Sequence, residues 1–143
     1  MNPYVHTGQR VRFQDVDHAG IVFFAKFYEY CHVAYEDFVE EILGLGPRDF
    51  FEVRELGAPL VATRSEHFKP LFHGDRLTVK AHVCQLGRSS MTMAYSIENQ
   101  DGVECTRVWM KHAFITRVGF KSIPIPDEIR VNLQPFVFLE KEP

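Results

Sequence analysis

Apolar and aromatic side chains recur every three to four positions of this sequence over about 20 residues, from Phe24 to Leu43. Since each residue of an α-helix turns by about 100°, these side chains gather on one side and the charged ones on the other, which predicts an amphipathic helix about 30 Å long. Gly44 and Pro47 follow, as such residues typically do behind a helix C-terminus. The apolar side consists of Phe24, Phe27, Tyr30, Cys31, Ala34, Tyr35, Phe38 and Ile42. A helix with so many aromatic side chains needs a large apolar surface to cover it.

The second half of the chain has the pattern of antiparallel strands. Its strand-like segments, which alternate apolar and polar side chains or are apolar on both faces, are 59–68, 77–84, 91–97 and 103–117. Turn-forming residues separate them at 73–75, 87–90 and 99–102. Arg10 to Phe13 also alternates, which predicts a short strand ahead of the long helix. Further short helical segments are expected at 47–54 and 127–130.

This order of elements predicts a single α+β domain over residues 1–143, in which a curved antiparallel sheet wraps around the long helix. A chain of this length buries roughly two-thirds of the surface that it exposes when unfolded, which is enough for one core. A single curled sheet leaves open edge strands. We therefore expect a homo-oligomer that extends the sheet.

Composition limits the classes of function. With 45% hydrophobic residues and 13 phenylalanines, the chain is predicted to be globular. It has no apolar run near the roughly 20 residues of a membrane-spanning helix and no apolar leader, so we expect a cytoplasmic protein without membrane insertion. A net charge of −3 disfavours a nucleic-acid partner, which selects basic surfaces. The three cysteines form no CxxC pair, and the histidines do not have the HxxxH or HxH spacing of metal ligands, so no metal site or disulfide is expected. Cys31, on the apolar side of the long helix, is predicted to be buried.

A turn with two carboxylates leads into the long helix. Asp15 and Asp17 precede Gly20, and no Ser, Thr, Asp or Asn between Ile21 and Phe24 is available to cap the first helical N–H groups. These groups and the positive end of the helix dipole suit an oxygen that gains negative charge, such as a substrate carbonyl. The ordinary alternative is that water, or Asp17 itself, caps the helix.

The run from Val11 to Phe24, with its D-x-D-x-x-G-I-V motif, resembles the active-site signature of the 4-hydroxybenzoyl-CoA thioesterase family, whose members have the hotdog fold. The order of elements is similar over roughly residues 5–120, and so are the segments 57–61 and 74–79. The resemblance implies a thioesterase that hydrolyses a small aromatic or a short- to medium-chain acyl-CoA without a cofactor. It also implies a homodimer or homotetramer, with a pocket between two subunits.

The resemblance assigns roles to residues of the turn. Asp17 falls at the catalytic carboxylate, which is ionised at neutral pH and acts as nucleophile or general base. Phe24 falls where a backbone N–H polarises the thioester carbonyl, and Gly20 falls in the sharp turn, where a side chain would crowd the ligand. Asp15 is expected to be structural and to bond turn amides. His18 follows the catalytic position as an exposed turn residue or a substrate contact.

Other predicted contacts lie outside the turn. Phe23 and neighbouring aromatic side chains are expected to line the acyl pocket. Arg88, Ser89 and Ser90 fall in a loop where relatives place basic or hydroxyl groups near the phosphates of CoA. Relatives carry histidine or tyrosine at the position of Phe24, and this chain has neither side chain. If only the backbone N–H matters, phenylalanine is harmless there; if a side-chain donor is needed, low activity is expected.

Three alternatives differ in chemistry. A non-catalytic acyl-CoA-binding hotdog module would keep the pocket without depending on Asp17. A hotdog dehydratase needs a catalytic histidine, for which His18 is the nearby candidate. A metal-dependent phosphotransferase would place its first aspartate after a strongly apolar strand and would need βαβ alternation, which is absent. The acyl group, the choice between covalent and base catalysis, and the choice between dimer and tetramer stay open.

Overall fold

The structure, a computed structural model, describes residues 2–46, 48–49 and 55–141. Its strands are β1 (Tyr4–Arg10), β2 (Leu56–Gly57), β3 (Leu60–His67), β4 (Arg76–Leu86), β5 (Ser90–Glu98), β6 (Glu104–Ala113) and β7 (Ile115–Thr116). The helices described in full are α1 (Phe24–Leu43) and α2 (Asp127–Leu133), with 3₁₀ turns at Phe13–Asp15 and Gln134–Phe136. Five strands form an antiparallel sheet in the order β1-β4-β5-β6-β3, and β2 pairs with β7.

Helix α1 has the predicted bounds and fills the sheet. It follows Phe23, which has extended backbone and provides no side-chain cap, and it ends at Gly44, whose φ of 64° is left-handed. Its buried side chains are Phe27, Tyr30, Cys31, Ala34 and Phe38. The buried position of Cys31 is thereby confirmed. Phe24 is the exception on the predicted apolar face: it is 71% exposed, because it lies in the first turn at the end of the sheet.

The predicted strand from Arg10 to Phe13 is wrong. Strand β1 lies earlier and ends at Arg10, and Phe13 is 78% exposed in a 3₁₀ turn. The Asp15 carboxylate accepts a hydrogen bond of 3.0 Å from the Arg12 N–H, which closes this turn. Strand β1 is hidden in the sequence because its pairing with β4 shifts register beside Gly8, whose φ is 97°.

The other predicted strands are present. The segment 103–117 divides into β6 and the short β7, and the helical turn at 127–130 extends to the whole of α2, which buries Ile129 and Leu133. The helix predicted at 47–54 lies almost entirely outside the described residues. No helix within residues 2–46, 48–49 and 55–141 is long and apolar enough to cross a membrane.

The two ends of β6 define two ends of the sheet. At the Thr106 end, β6 pairs with His67, the last residue of β3. At the Ala113 end, β6 pairs with Ser90, the first residue of β5, and β3 begins beside it at Leu60. At about 3.3 Å per residue, these ends are roughly 23 Å apart.

Helix α1 runs from one end to the other. Near its start the Phe27 ring lies 4.7 Å from the His67 ring, at the Thr106 end. About two turns later the Tyr35 ring stacks on the His112 ring at 4.6 Å, at the Ala113 end. The helix start and the middle of the helix therefore face different ends of the sheet.

Candidate active site

Residues 17–20 form a tight turn just ahead of α1. Val16 and Val22 pair across it, the Asp17 N–H donates to the Ile21 carbonyl at 3.0 Å, and the Gly20 N–H donates to the Asp17 carbonyl at 2.9 Å. Gly20 has a φ of 80°, and a Cβ there would meet nothing within 4 Å. Within one chain, glycine is therefore required by backbone conformation, not by lack of space.

The carboxylate of Asp17 is exposed at the tip of this turn. Its Oδ1 accepts a hydrogen bond of 2.8 Å from the Ala19 N–H. The Oδ2 atom has no partner among the described residues. One oxygen is thus oriented by the turn, and the other is available to a ligand.

Asp15 has the structural role predicted for it. The residue is 6% exposed, and its carboxylate accepts hydrogen bonds from the Arg12 N–H at 3.0 Å and from the Tyr30 hydroxyl at 2.8 Å. The Lys26 Nζ lies 3.9 Å away. Burial, followed by the bond to Asp15, raises the pKa of Tyr30 well above its usual range, so this phenol stays protonated. Asp15 therefore fastens the turn to α1.

The start of α1, which follows the Asp17 turn along the chain, offers free donors. The Val22 N–H bonds the Leu71 carbonyl at 2.9 Å and the Phe23 N–H bonds the Asp15 carbonyl at 3.3 Å, which hold the entry to the helix. The following N–H groups, of Phe24 and Ala25, have neither a side-chain cap nor a backbone acceptor within the described parts of the chain. The uncapped helix start is thus confirmed.

A shallow cleft of about 450 Å³ lies beside this helix start. It is lined by Ile21, Val22, Phe24, Phe27, His67, Phe68, Lys69 and Pro70. Phe23 is not among these residues, and its ring lies under the Lys26 ammonium group at 5.7 Å. His67, whose ring nitrogens lie 3.2 Å from the Ser65 and Thr106 hydroxyls, was missed by sequence reasoning, because only strand pairing brings it to the turn.

The loop 87–90 lies at the Ala113 end of the sheet. The Ser89 carbonyl accepts from the Phe114 N–H at 2.8 Å, and the Arg88 side chain is exposed. The Arg130 guanidinium donates to the Gly87 carbonyl at 2.6 Å and to the Arg88 carbonyl at 3.3 Å. A single chain therefore places Asp17 in the turn that leads into the start of α1 at Phe24, whereas this loop lies at the opposite end of the sheet.

A second cavity, of about 400 Å³, opens between α1 and the sheet at the Ala113 end. Most of its lining is apolar, and its polar lining residues are His32, Tyr35, Glu36 and His112. Burial lowers the pKa of His112, so its ring is neutral. Among the described residues no cluster of His, Cys, Asp and Glu is arranged to hold a metal ion.

Comparison with known proteins assigns the family. A family model described as the thioesterase-like superfamily matches residues 11–133. The chain belongs to the thioesterase-like superfamily. This match includes the turn, all of α1 and four strands of the five-stranded sheet, β3 to β6.

Several members of the superfamily are similar along most of their length. The 1,4-dihydroxy-2-naphthoyl-CoA hydrolase of Thermosynechococcus vestitus is 34% identical over 119 residues, which cover 83% of this chain and 81% of that protein. The enzyme of the same name from Crocosphaera subtropica is 31% identical over 120 residues, with 84% and 81% coverage. The structure of a 1,4-dihydroxy-2-naphthoyl-CoA thioesterase from Synechocystis has a TM-score of 0.83 at 26% identity and covers 92% of this chain and 95% of its own. A gentisyl-coenzyme A thioesterase has a TM-score of 0.78 at 27% identity, with 90% and 98% coverage.

These findings confirm two predictions for this thioesterase-like protein, the hotdog fold and a thioester hydrolase. The narrower resemblance to the 4-hydroxybenzoyl-CoA thioesterase family is not confirmed, because the similar proteins are named for a related branch that acts on 1,4-dihydroxy-2-naphthoyl-CoA. The individual site residues stay predictions.

Proposed function

We propose that this thioesterase hydrolyses an acyl-CoA whose acyl group is a hydroxylated aromatic ring, of the 1,4-dihydroxy-2-naphthoyl type. The observation that carries the proposal is the exposed Asp17 carboxylate, held in a turn that leads directly into the uncapped N-terminus of α1. The names of the similar enzymes support the class of acyl group, since 1,4-dihydroxy-2-naphthoyl and gentisyl are both hydroxylated aromatic groups.

In this mechanism the thioester carbonyl oxygen accepts hydrogen bonds from the N–H groups of Phe24 and Ala25. Asp17 either attacks the carbonyl carbon or takes a proton from a water molecule that attacks it. The positive end of the helix dipole stabilises the oxyanion, and one such donor typically contributes about 3 to 4 kcal/mol in the transition state. Water supplies the hydroxyl of the free acid, its proton goes to the departing thiolate, and the products are the acid and CoA.

The site is completed by a second copy of the chain. The outer edge of β3 carries exposed apolar side chains, including Val61, which is 57% exposed. Two such edges that pair antiparallel about a two-fold axis bring His67 of one chain beside Leu60 of the partner subunit. The Thr106 end of one sheet then adjoins the Ala113 end of the other, so Asp17 acts together with the partner's Arg88, Ser89 and Ser90. Such a dimer explains how groups at opposite ends of the sheet of one chain serve one substrate.

The test is the release of free thiol from 1,4-dihydroxy-2-naphthoyl-CoA and from aliphatic acyl-CoAs. We expect the parent protein to hydrolyse the aromatic thioester in the presence of EDTA. Asp17→Asn should lose at least a hundredfold in kcat/KM, which corresponds to about 2.7 kcal/mol. The matched control is Asp101→Asn, an exposed turn aspartate in the 99–102 hairpin, which should stay near the parent value. Equal turnover by Asp17→Asn and parent would disprove the catalytic role, and binding without turnover would favour the acyl-CoA-binding module.

A further inference from the structure

The cavity at the Ala113 end of the sheet has the size and character of a site for a small apolar ligand. Its volume of about 400 Å³ lies within the range of roughly 300 to 1,000 Å³ that is typical of ligand pockets. Side chains such as Val39, Met91 and Met110 supply most of its lining. His112 also lines it, although it is only 6% exposed.

The hydrogen bonds of His112 determine its tautomer. Its Nδ1 lies 2.9 Å from the Ala58 carbonyl oxygen, and a carbonyl only accepts, so Nδ1 carries the proton. Burial keeps the ring neutral by lowering the pKa of His112. Its Nε2 is therefore a lone-pair acceptor.

This acceptor has no partner. The Nε2 atom is buried and makes no hydrogen bond with any described residue. The Tyr35 ring stacks on the imidazole at 4.6 Å with an angle of 12° between the planes, which fixes the orientation of the ring. Buried polar groups are normally paired, so an oriented, unpaired acceptor beside an apolar cavity indicates a ligand that brings a donor.

The cavity cannot serve the helix start of its own chain. Tyr35 follows Phe24 by 11 residues, or about 16 Å along α1, which is farther than an aromatic ring extends from its thioester carbonyl. Leu60 also lines the cavity, and in the dimer proposed above Leu60 lies beside the partner's His67. The cavity then opens toward the catalytic turn of the partner subunit.

We propose that this cavity receives the aromatic ring of the acyl group and that His112 Nε2 accepts a hydrogen bond from a ring hydroxyl remote from the thioester. His112 is then the residue that selects hydroxylated acyl groups. The inference rests on the proposed thioesterase function and adds to it the group that recognises the substrate. Sites that hydrogen-bond a substrate hydroxyl can reject the analogue without it by large factors, because the polar group of the site is left unpaired.

The test compares 1,4-dihydroxy-2-naphthoyl-CoA with 1-hydroxy-2-naphthoyl-CoA, which lacks only the remote hydroxyl. The parent protein should prefer the first by at least about tenfold in kcat/KM. His112→Asn keeps a donor at the position of Nδ1 and removes the acceptor at Nε2, so its preference should fall to near one. His112→Gln returns a carbonyl oxygen to the position of Nε2 and should recover part of the preference.

Equal losses for both substrates in His112→Asn, or an unchanged preference, would overturn the inference. A second measurement needs no variant. With ¹⁵N-histidine-labelled parent protein, the Nε2 resonance of His112 should shift on addition of 1,4-dihydroxy-2-naphthoate and stay in place with 1-hydroxy-2-naphthoate. The same response to both acids would contradict the proposal. If the parent hydrolyses neither thioester, the proposed function is wrong, and the nitrogen shift still decides the role of His112.

Discussion

The Tyr30 hydroxyl donates a hydrogen bond of 2.8 Å to the buried Asp15 carboxylate, two residues before Asp17. Tyr30 belongs to the second turn of α1, so this bond connects the helix to the turn that precedes it. The same carboxylate accepts the Arg12 N–H, and the Asp15 carbonyl accepts the Phe23 N–H. One buried aspartate thereby sets the path of the chain on both sides of Asp17.

Tyr30→Phe should lower the free energy of unfolding by about 1.5 to 3 kcal/mol, because it leaves a buried carboxylate without one of its donors. Urea denaturation measures the loss. The matched control is Tyr28→Phe, whose hydroxyl donates over 3.3 Å to Ser65 Oγ in a half-buried position, and which should cost less than about 1 kcal/mol. Equal stability of Tyr30→Phe and the parent would show that the turn does not depend on this bond.

Phe24→Pro tests the backbone donor directly. Position 24 is the first of the helix, where proline is tolerated, and Phe23 already has the extended backbone that precedes proline. The substitution removes the N–H and should lower kcat by about 10² to 10³-fold. Phe24→Ala keeps the N–H and removes an exposed side chain, so its kcat should stay within about fivefold of the parent value. Similar losses in the two variants, measured by thiol release, would assign the effect to the side chain instead.

Local sequence patterns were sufficient to predict helix α1 and the turn at residues 17–20. The period of the apolar residues and Gly44 are sequence-local signals, and so is the lack of a capping residue before Phe24, which the structure confirms. Strand β1 was misplaced because Gly8 and the adjoining register shift interrupt its alternation. The exposure of Phe24 depends on where the sheet ends, which the periodicity of a helix does not reveal.

The parts of the site that depend on strand pairing could not be predicted from the sequence. The Arg88 loop and Asp17 are assigned to one site by resemblance, yet the pairing of β3, β5 and β6 separates them along the sheet. His67 and His112 look like ordinary strand residues until that pairing brings them to the two ends of β3. Long-range register, and not residue type, decides which side chains share a cavity.

Val61→Asp should disrupt the proposed dimer. It introduces a negative charge on the exposed edge of β3. In the pairing that sets Leu60 beside the partner's His67, residue 61 faces the partner's Glu66, so two carboxylates oppose each other across the interface. We expect sedimentation equilibrium to show a shift toward monomer, with a matching loss of thioesterase activity. Val131→Asp, at an exposed position of α2, should leave the assembly unchanged. A fully active monomer would refute the shared site.

Complementation tests whether Arg88 serves the partner's Asp17. Asp17→Asn and Arg88→Ala chains, denatured together and refolded in equal amounts, give a random mixture in which about a quarter of all sites pair an intact Asp17 with an intact partner Arg88. The kcat/KM of the mixture should therefore rise to about a quarter of the parent value. If both residues act from one chain, no intact site forms and the mixture gains nothing. A mixture of Asp17→Asn with the double variant is the matched control and should stay inactive.

The free energy of unfolding should depend on pH in the way that a buried, neutral His112 requires. Burial lowers its pKa in the folded state, the Ala58 carbonyl opposes this and His32 adds to it. Below about pH 6.5 the unfolded chain binds a proton at His112 that the folded chain does not bind. The free energy of unfolding therefore decreases as the pH is lowered, by at most about 1.4 kcal/mol per pH unit for one group, until the pKa of the folded state is reached. His112→Asn should flatten this decline in urea titrations at fixed protein concentration, while Val131→Ala, an exposed substitution without an ionisable group, should run parallel to the parent. A decline of unchanged slope in His112→Asn would mean that His112 binds protons equally in the folded and unfolded chains, so that burial does not hold its ring neutral.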